Sequence, residues 1–140
     1  MRYMQILEIA TKGYSDIVEI TSSVADIVSK SKIKNGLCHL FVIGSTASLT
    51  TCENDTNIFD DIREVLEEIV PYKKNWRHHK TWNDDNGAAH IRATILGPDL
   101  TIPVSNGQLI LGTWQSIILI ECDTRGRGRK IAVTIVPEVL

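Results

Sequence analysis

Three of the four histidines in this chain lie in one polar segment, residues 76–93, with the sequence WRHHKTWNDDNGAAHIRA. His78, His79 and His90 supply enough imidazole nitrogens for a zinc site, which needs three or four ligands at about 2.0–2.3 Å. No short ligand pair of the HExxH kind accompanies them. The segment therefore predicts either a metal site or a polar surface loop, and the spacing alone does not decide between the two.

The acidic residues between these histidines indicate a second kind of site. If a helix begins after Asp84 and Asp85, the backbone N–H groups of Asn86 and Gly87 point out of its positive end and form a seat for an anion. Gly87 would let a phosphate approach the backbone closely, and the two aspartates could hold Mg²⁺ beside it. The alternative is that Asp85 only caps the helix, a role that is compatible with phosphate binding.

Small hydroxyl-bearing residues follow a predicted strand in the segment GSTASLTTCEND, residues 44–55. Residues of this kind, Thr46 among them, commonly line polar pockets. Glu53 and Asp55 are two residues apart, so on an extended chain they would share one face. The segment therefore predicts either part of a polar pocket or an ordinary surface of threonines and carboxylates.

Two groups of polar residues interrupt the apolar C-terminal part of the chain. Gln115 follows Trp114, which we predict to lie in the core or at a subunit interface. A buried amide without a partner costs about 1–3 kcal/mol, so Gln115 belongs either to a structural network or to a ligand contact. Arg125, Arg127 and Arg129 alternate and would project to one side of an extended stretch, where guanidinium groups suit phosphate or carboxylate. A solvated hairpin tip is the alternative.

Length and composition predict one globular domain, residues 1–140, because a chain of this length can bury a core. Hydrophobic residues make up 43% and charged residues 23%, as in soluble proteins. No apolar run is long enough to cross a bilayer, and Glu8 and Lys12 interrupt the N-terminal segment where a signal peptide is apolar. The net charge of −2 argues against non-specific nucleic-acid binding.

The cysteines indicate a reducing compartment. Cys38, Cys52 and Cys122 form no CxxC pair and are typical of buried thiols in a cytoplasmic protein. We therefore expect a cytoplasmic location, with neither membrane nor nucleic acid as a partner.

The hydrophobic pattern predicts strands at both ends of the chain and helices between them. Thr21 or Ser22 is expected to cap a first helix that ends near Asn35 and Gly36. A second helix, capped by Thr56 or Asn57, would bury one apolar face, formed by Ile58, Ile62, Val65, Leu66 and Ile69. The segment 88–96 fits both a strand and a helix, and the capping residues at its two ends favour a helix.

The remaining segments are predicted strands. They cover 3–12, 16–20, 37–43, 48–52, which would pair near the preceding strand, and then 100–104, 108–112, 115–121 and 130–136. The order of these elements predicts an α+β domain with two packed, mostly antiparallel sheets and about three helices.

Together these segments resemble the YjbQ family, also called the uncharacterised protein family UPF0047. The resemblance covers residues 36–135 and rests on TASLTTCEND, WRHH, DDNGAAHIRATILGPDLTIPVSNGQLILGTWQSIILIECD and RGRGRK, with SNGQLILGTWQSI as its most specific piece. It implies packed antiparallel sheets, a helix at 88–96 and a homotrimer with pockets near the subunit boundaries. Members have been associated with a secondary thiamine-phosphate synthase activity.

The resemblance also implies site residues, carried over position by position. The polar positions of the family correspond to Thr46, Glu53, Asp55, His78, Asp85, Asn86, His90, Gln115 and Glu121, and its basic tail to Arg125, Arg127 and Arg129. One position departs from the family, because members usually carry a histidine where this chain has Gly44. His39 does not replace it, since five residues earlier on the same strand it faces the opposite side.

The leading hypothesis is a phosphate-handling enzyme similar to secondary thiamine-phosphate synthase. It would join hydroxymethylpyrimidine diphosphate to thiazole phosphate and release pyrophosphate. The expected catalytic residues are His78, His90, Glu53 and Gln115, and the expected substrate- and phosphate-binding residues are Thr46, Asp85, Asn86, Gly87, Arg125 and Arg127. His78 and His90 would hold any divalent metal, Zn²⁺ or Mg²⁺, and no organic cofactor is expected.

Two other hypotheses stay open. One is a non-catalytic trimeric protein that binds a metal or a phosphorylated metabolite, which the missing histidine at Gly44 favours. The other is a zinc-dependent hydrolase of small phosphoesters.

Overall fold

Two antiparallel sheets and four helices make up the protein in a computed structural model that describes residues 1–139. The strands are β1 (Tyr3–Ala10), β2 (Asp16–Glu19), β3 (Gly36–Ile43), β4 (Ala47–Cys52), β5 (Asp99–Ser105), β6 (Gln108–Leu109), β7 (Ser116–Glu121) and β8 (Gly128–Pro137), and the helices are α1 (Thr21–Ser31), α2 (Thr56–Ile69), α3 (His79–Trp82) and α4 (Gly87–Leu96). The α+β class and the two sheets agree with the prediction. The short α3 makes four helices rather than about three.

The five-stranded sheet has the order β1-β8-β3-β5-β6, and the three-stranded sheet has the order β2-β7-β4. Strand β7 is buried on both faces. Ile117 and Leu119 join the core shared with the larger sheet and α1, whereas Ile118 and Ile120 join a second core with Ala89 and neighbouring residues of α2 and α4. The smaller sheet is therefore a middle layer between the larger sheet and the two helices.

The predicted pairing of residues 48–52 with the preceding strand is wrong. Strand β4 pairs with β7 in the smaller sheet, while β3 pairs with β5 and β8 in the larger one. The chain passes from one sheet to the other at Gly44–Thr46. This crossing brings polar residues that follow β3 next to the end of β7.

The first helix differs from the prediction at both ends. Ile20 is its N-cap residue, and no side chain caps it. Thr21 Oγ1 instead accepts a hydrogen bond from the Ile117 N–H at 2.8 Å and so ties the helix to β7. The helix ends at Ser31, where the side-chain hydroxyl donates to the Val28 carbonyl at 2.6 Å.

Helix α2 begins earlier than predicted and buries only part of the predicted face. Asp55 caps it by accepting from the Asn57 N–H at 3.1 Å. Phe59 and Leu66 are buried, whereas Val65 and Ile69, which the helical pattern placed inside, are 53% and 59% exposed. The second core includes Phe59 but neither Val65 nor Ile69, so the buried side of the helix is shifted from the predicted one.

The ambiguous segment 88–96 is a helix, as the capping residues predicted. Its N-cap is Asn86, however, and not Asp84 or Asp85, and no side chain supplies a capping hydrogen bond. Gly97 ends the helix with a φ of 94°, a value that favours glycine. No helix within residues 1–139 is long and apolar enough to cross a membrane.

Candidate functional site

A polar cavity of about 400 Å³ lies beside the crossing from β3 to β4. It is lined by Gly44, Ser45, Thr46, His78, Trp82, Asp84, Asn86, His90, Asp123, Arg127 and Arg129. A cavity of about 430 Å³ beside Asn35 has Glu138 as its one charged lining residue. The first cavity is the candidate site, because it alone of these two gathers imidazole, carboxylate and guanidinium groups.

Two imidazoles form one wall of the cavity. His78 immediately precedes α3 and His90 lies in the first turns of α4, and their ring centroids are 4.6 Å apart. The Asn86 amide nitrogen donates to His78 Nε2 at 3.2 Å and to Asp84 Oδ1 at 2.8 Å. In this orientation Asn86 joins His78 to Asp84 at the cavity wall.

His90 is held in its neutral form at neutral pH. Burial, and then the neighbouring His78, lower the pKa of His90 below its ordinary value of 6.5. A neutral imidazole can accept a proton at one nitrogen while it donates from the other, which is the property that general acid–base chemistry needs.

Two arginines, each paired with a buried carboxylate, form another part of the cavity. Glu121 is fully buried and accepts from Arg129 Nε at 2.7 Å and also from Arg129 Nη2. Asp123 accepts from Arg127 Nε at 2.7 Å and from Thr46 Oγ1 at 3.1 Å. The two acids hold both guanidinium groups at the back of the cavity in a fixed orientation.

Asp123 is ionised in this setting. Burial pushes its pKa upward, but the hydrogen bond from the Thr124 N–H and the contacts with Arg127 outweigh burial and hold the pKa below its ordinary value. The charge on Asp123 therefore compensates that of Arg127 at neutral pH.

The cavity gathers five of the predicted site residues, which are Thr46, His78, Asn86, His90 and Arg127. Three others lie elsewhere. Glu53 is exposed beyond the end of β4, Arg125 is exposed, and Gln115 lines a separate depression, where its amide donates to Thr51 Oγ1 at 3.0 Å. Trp114 is 74% exposed in this chain, so it is not a core residue of the domain.

Asp85 and Gly87 also lie outside the cavity lining. The side chain of Asp85 is 85% exposed, and His79 Nε2 lies 3.2 Å from its Oδ1 without a hydrogen-bond geometry. Gly87 is buried, and a Cβ there would lie 2.7 Å from the Trp76 Cβ. Gly87 thus lets α4 pack closely on the histidine segment.

The other lining residues, Trp82, Asp84 and Arg129 among them, were not in the expected set of catalytic and binding residues. Trp82 lies at the cavity with 73% of its surface exposed, and Asp84 takes the place expected for Asp85. Arg129 was grouped with Arg125 on an extended stretch, yet its side chain is 7% exposed and ion-paired. The alternation of charges in residues 121–129 was the one available signal for the arginine wall.

The residues do not form a set of metal ligands. Within residues 1–139, no three His, Cys, Asp or Glu side chains converge closely enough to hold one ion. Gly44 lines the cavity but provides no ligand. The geometry therefore does not fit the three-ligand site that the histidine segment predicts.

Comparison with known proteins identifies the family. Residues 5–138 match the family model described as UPF0047 protein YjbQ-like. The chain belongs to the YjbQ family. A UPF0047 protein of Methanothermobacter thermautotrophicus is 37% identical over 133 residues, which cover 95% of this chain and 91% of the relative. A UPF0047 protein of Synechocystis is 35% identical over 139 residues, which cover 99% of this chain and 94% of the relative.

The YjbQ fold is also seen in solved structures. The crystal structure of a YbjQ-like protein of unknown function from Sulfolobus solfataricus superimposes with a TM-score of 0.93 at 38% identity. The match covers 99% of each chain. The two-sheet fold of this chain is therefore shared with a solved structure of a similar protein.

Two groups that shift the pKa of His90 in opposite directions, His78 and Asp84, give a test of the cavity electrostatics. We expect His78→Asn to raise the pKa of His90, because His78 lowers it, and Asp84→Asn to lower it further, because Asp84 raises it. Histidine ring signals followed by NMR between pH 4 and 8 measure both shifts. Shifts of the same sign in the two variants would contradict this arrangement.

Proposed function

We propose that this protein is a phosphate-handling enzyme that joins hydroxymethylpyrimidine diphosphate to thiazole phosphate, as its resemblance to secondary thiamine-phosphate synthase implies. The observation that carries the proposal is the presence of two imidazoles and two arginines around one cavity of about 400 Å³. Imidazole suits proton transfer near neutral pH, and guanidinium suits phosphate.

The reaction makes specific demands on such a site. The thiazole nitrogen attacks the methylene carbon of the pyrimidine, a C–N bond forms, and the C–O bond to the diphosphate breaks. Pyrophosphate leaves with the bonding electron pair, and the attacking nitrogen loses no proton. The main catalytic need is therefore to stabilise the negative charge that develops on pyrophosphate.

The cavity residues match that need. Arg127 uses Nε to contact Asp123, and its other two guanidinium nitrogens make no hydrogen bond with residues 1–139, so they can bind a phosphate oxygen. His90 or His78 would donate a proton or a hydrogen bond to the departing group. Thr46, whose hydroxyl is already fixed between Arg129 and Asp123, holds this wall in position.

The second candidate is a non-catalytic protein that binds a phosphorylated metabolite. Gly44 favours it, because the cavity has no side chain where members of the family usually carry a histidine. This candidate predicts that the protein binds a phosphorylated metabolite and does not convert it to a product. Within residues 1–139 the lining provides no three-ligand set for zinc, so the cavity does not fit the zinc-dependent hydrolase. Mg²⁺ is usually held by one or two carboxylates and the phosphates of the substrate, so a role for Mg²⁺ stays a prediction.

Turnover with the two purified substrates tests the proposal, with thiamine phosphate as the product measured. We expect His78→Ala/His90→Ala to lower kcat/KM by about 100-fold or more, the usual contribution of acid–base groups. His39→Ala is the matched control, because His39 does not line the cavity. Its Nε2 lies 2.9 Å from Asp99 Oδ2.

Unchanged turnover in the double histidine variant would overturn the catalytic assignment. If wild type forms no product, the binding candidate takes precedence. Metal content of both proteins, measured by plasma emission per subunit, separately tests whether Zn²⁺ or Mg²⁺ is held.

A homotrimer, which the resemblance implies, is part of the proposal. The outer face of the five-stranded sheet supports it, because Ile6, Ala132 and Phe41 lie side by side on three adjacent strands, and Leu37 lies beside Val136. Ile6, Phe41, Leu37 and Val136 are 39–49% exposed, and exposed apolar surface of this kind marks interaction sites. Sedimentation equilibrium measures the mass. The cytoplasmic location stays a prediction that cell fractionation tests.

A further inference from the structure

Arg129 is a buried arginine, and one of its three guanidinium nitrogens makes no hydrogen bond with residues 1–139. Its side chain is 7% exposed. Nε donates to Glu121 Oε1 at 2.7 Å, and Nη2 donates to Glu121 and to the Thr46 hydroxyl at 2.6 Å and the Thr46 carbonyl at 3.1 Å. Nη1 makes no hydrogen bond with any residue from 1 to 139. The guanidinium plane is therefore fixed by two of its nitrogens while the third keeps both donor hydrogens.

The free nitrogen lies at the cavity wall beside Gly44. Both Gly44 and Arg129 line the cavity. A Cβ added at Gly44 would lie 2.7 Å from Nη1 and 3.9 Å from Cζ of Arg129. Any side chain at position 44 would cover or displace Nη1, so glycine is what leaves this donor open to the cavity.

Arg127 lines the same cavity and also keeps guanidinium nitrogens that make no hydrogen bond with residues 1–139. Asp123 holds its Nε, and its two terminal nitrogens have no partner among the residues described. Glu121 and Asp123 compensate the two positive charges from behind. The wall therefore recognises oxygen atoms mainly through directed N–H donors, and its own net charge is close to zero.

We propose that Nη1 of Arg129, together with the terminal nitrogens of Arg127, forms an oxyanion subsite that fixes a phosphate group of the ligand. Gly44 is the specificity-determining residue of this subsite. The inference deepens the proposed function and rests on it for the phosphorylated nature of the ligand. Arg129, one of the alternating arginines but not among the expected phosphate-binding residues, thereby becomes a ligand-binding residue.

Calorimetric titration of the full chain with pyrophosphate tests the subsite. Gly44→Ala covers Nη1, and Arg129→Lys keeps the positive charge but removes Nη1. We expect each change to weaken pyrophosphate binding by about tenfold or more, the loss of at least one charge-assisted hydrogen bond. Arg125→Lys is the matched control, because Arg125 is exposed and outside the cavity, and it should bind as wild type does.

A second measurement does not depend on how the variants fold. In wild-type protein labelled at arginine nitrogen, pyrophosphate should shift and sharpen the Nη signals of Arg129. Wild-type affinity in both folded variants, unshifted Arg129 signals, or no pyrophosphate binding by wild type would each overturn the inference. Binding that depends on Arg129 without any turnover would instead remove only the enzymatic proposal, so the two failures are distinguishable.

Discussion

Replacing Glu121 by glutamine is expected to lower the free energy of unfolding by about 3–5 kcal/mol. Glu121 is fully buried and accepts from Arg129, from the Thr11 hydroxyl at 2.7 Å and from the Asp123 N–H at 3.1 Å. Glutamine has the same shape but no charge, and its NH₂ group would face donors. The charge of Arg129 would then stay buried without its counter-ion. Urea denaturation at fixed protein concentration measures the loss.

Two further variants separate the charge effect from a general effect of substitution. Glu53→Gln changes an exposed glutamate and should alter stability by no more than about 0.5 kcal/mol. Glu121→Leu/Arg129→Met removes both charges and should recover much of the stability, because paired removal leaves no uncompensated ion. If Glu121→Gln were as stable as Glu53→Gln, the pair of Glu121 and Arg129 would not contribute to stability as we expect.

Replacing Arg92 by methionine is expected to cost about 3 kcal/mol and to lower Tm by roughly 10 °C. Arg92 is 1% exposed, and it donates to the Val70 carbonyl at 2.9 Å, to Ser15 Oγ at 2.9 Å and to Glu67 at 2.7 Å. Its guanidinium carbon also lies 3.8 Å from the centroid of the Tyr72 ring. Methionine would fill part of the space but would leave the carbonyl and the hydroxyl buried without this donor.

Arg63 provides the control for Arg92. It reaches the same loop from α2 and donates to the Ser15 carbonyl at 3.1 Å, but 35% of its side chain is exposed. Arg63→Met should therefore cost about 1 kcal/mol or less, because water can replace its contacts. Thermal unfolding of the two variants at one protein concentration gives the comparison. Equal losses would mean that burial of Arg92 does not set its contribution.

The local pattern predicted elements more reliably than it predicted contacts. The helix at Gly87–Leu96 followed from capping residues and apolar spacing. For α2 the same reasoning found the helix and placed Leu66 correctly in the interior, but it also placed Val65 and Ile69 there, and both are exposed. Which apolar side is buried depends on the partner, and the partner is distant in sequence.

The histidine segment shows the same division within the candidate site. The residue types and the family resemblance made His78, Asn86 and His90 expected site residues, and all three line the cavity. The sequence pattern did not show which of the neighbouring residues Asp84 and Asp85 lines the cavity. Asp85 has a positive φ of 57°, and in the folded loop Asp84 lines the cavity whereas the side chain of Asp85 is exposed.

The sequence by itself determined the fold class, the family and the kind of chemistry that the polar segments can support. Only the tertiary structure decided that Arg129 joins the site while Glu53 and Gln115 do not. The physical reason is the crossing of the chain from β3 to β4, which pairs β4 with β7 and sets Thr46 against Glu121, Asp123 and Arg129. The hydrophobic period shows which face of an element is apolar. The pairing of β4 with β7, whose partner residues lie 64 to 74 positions apart in the sequence, follows instead from how the whole core packs.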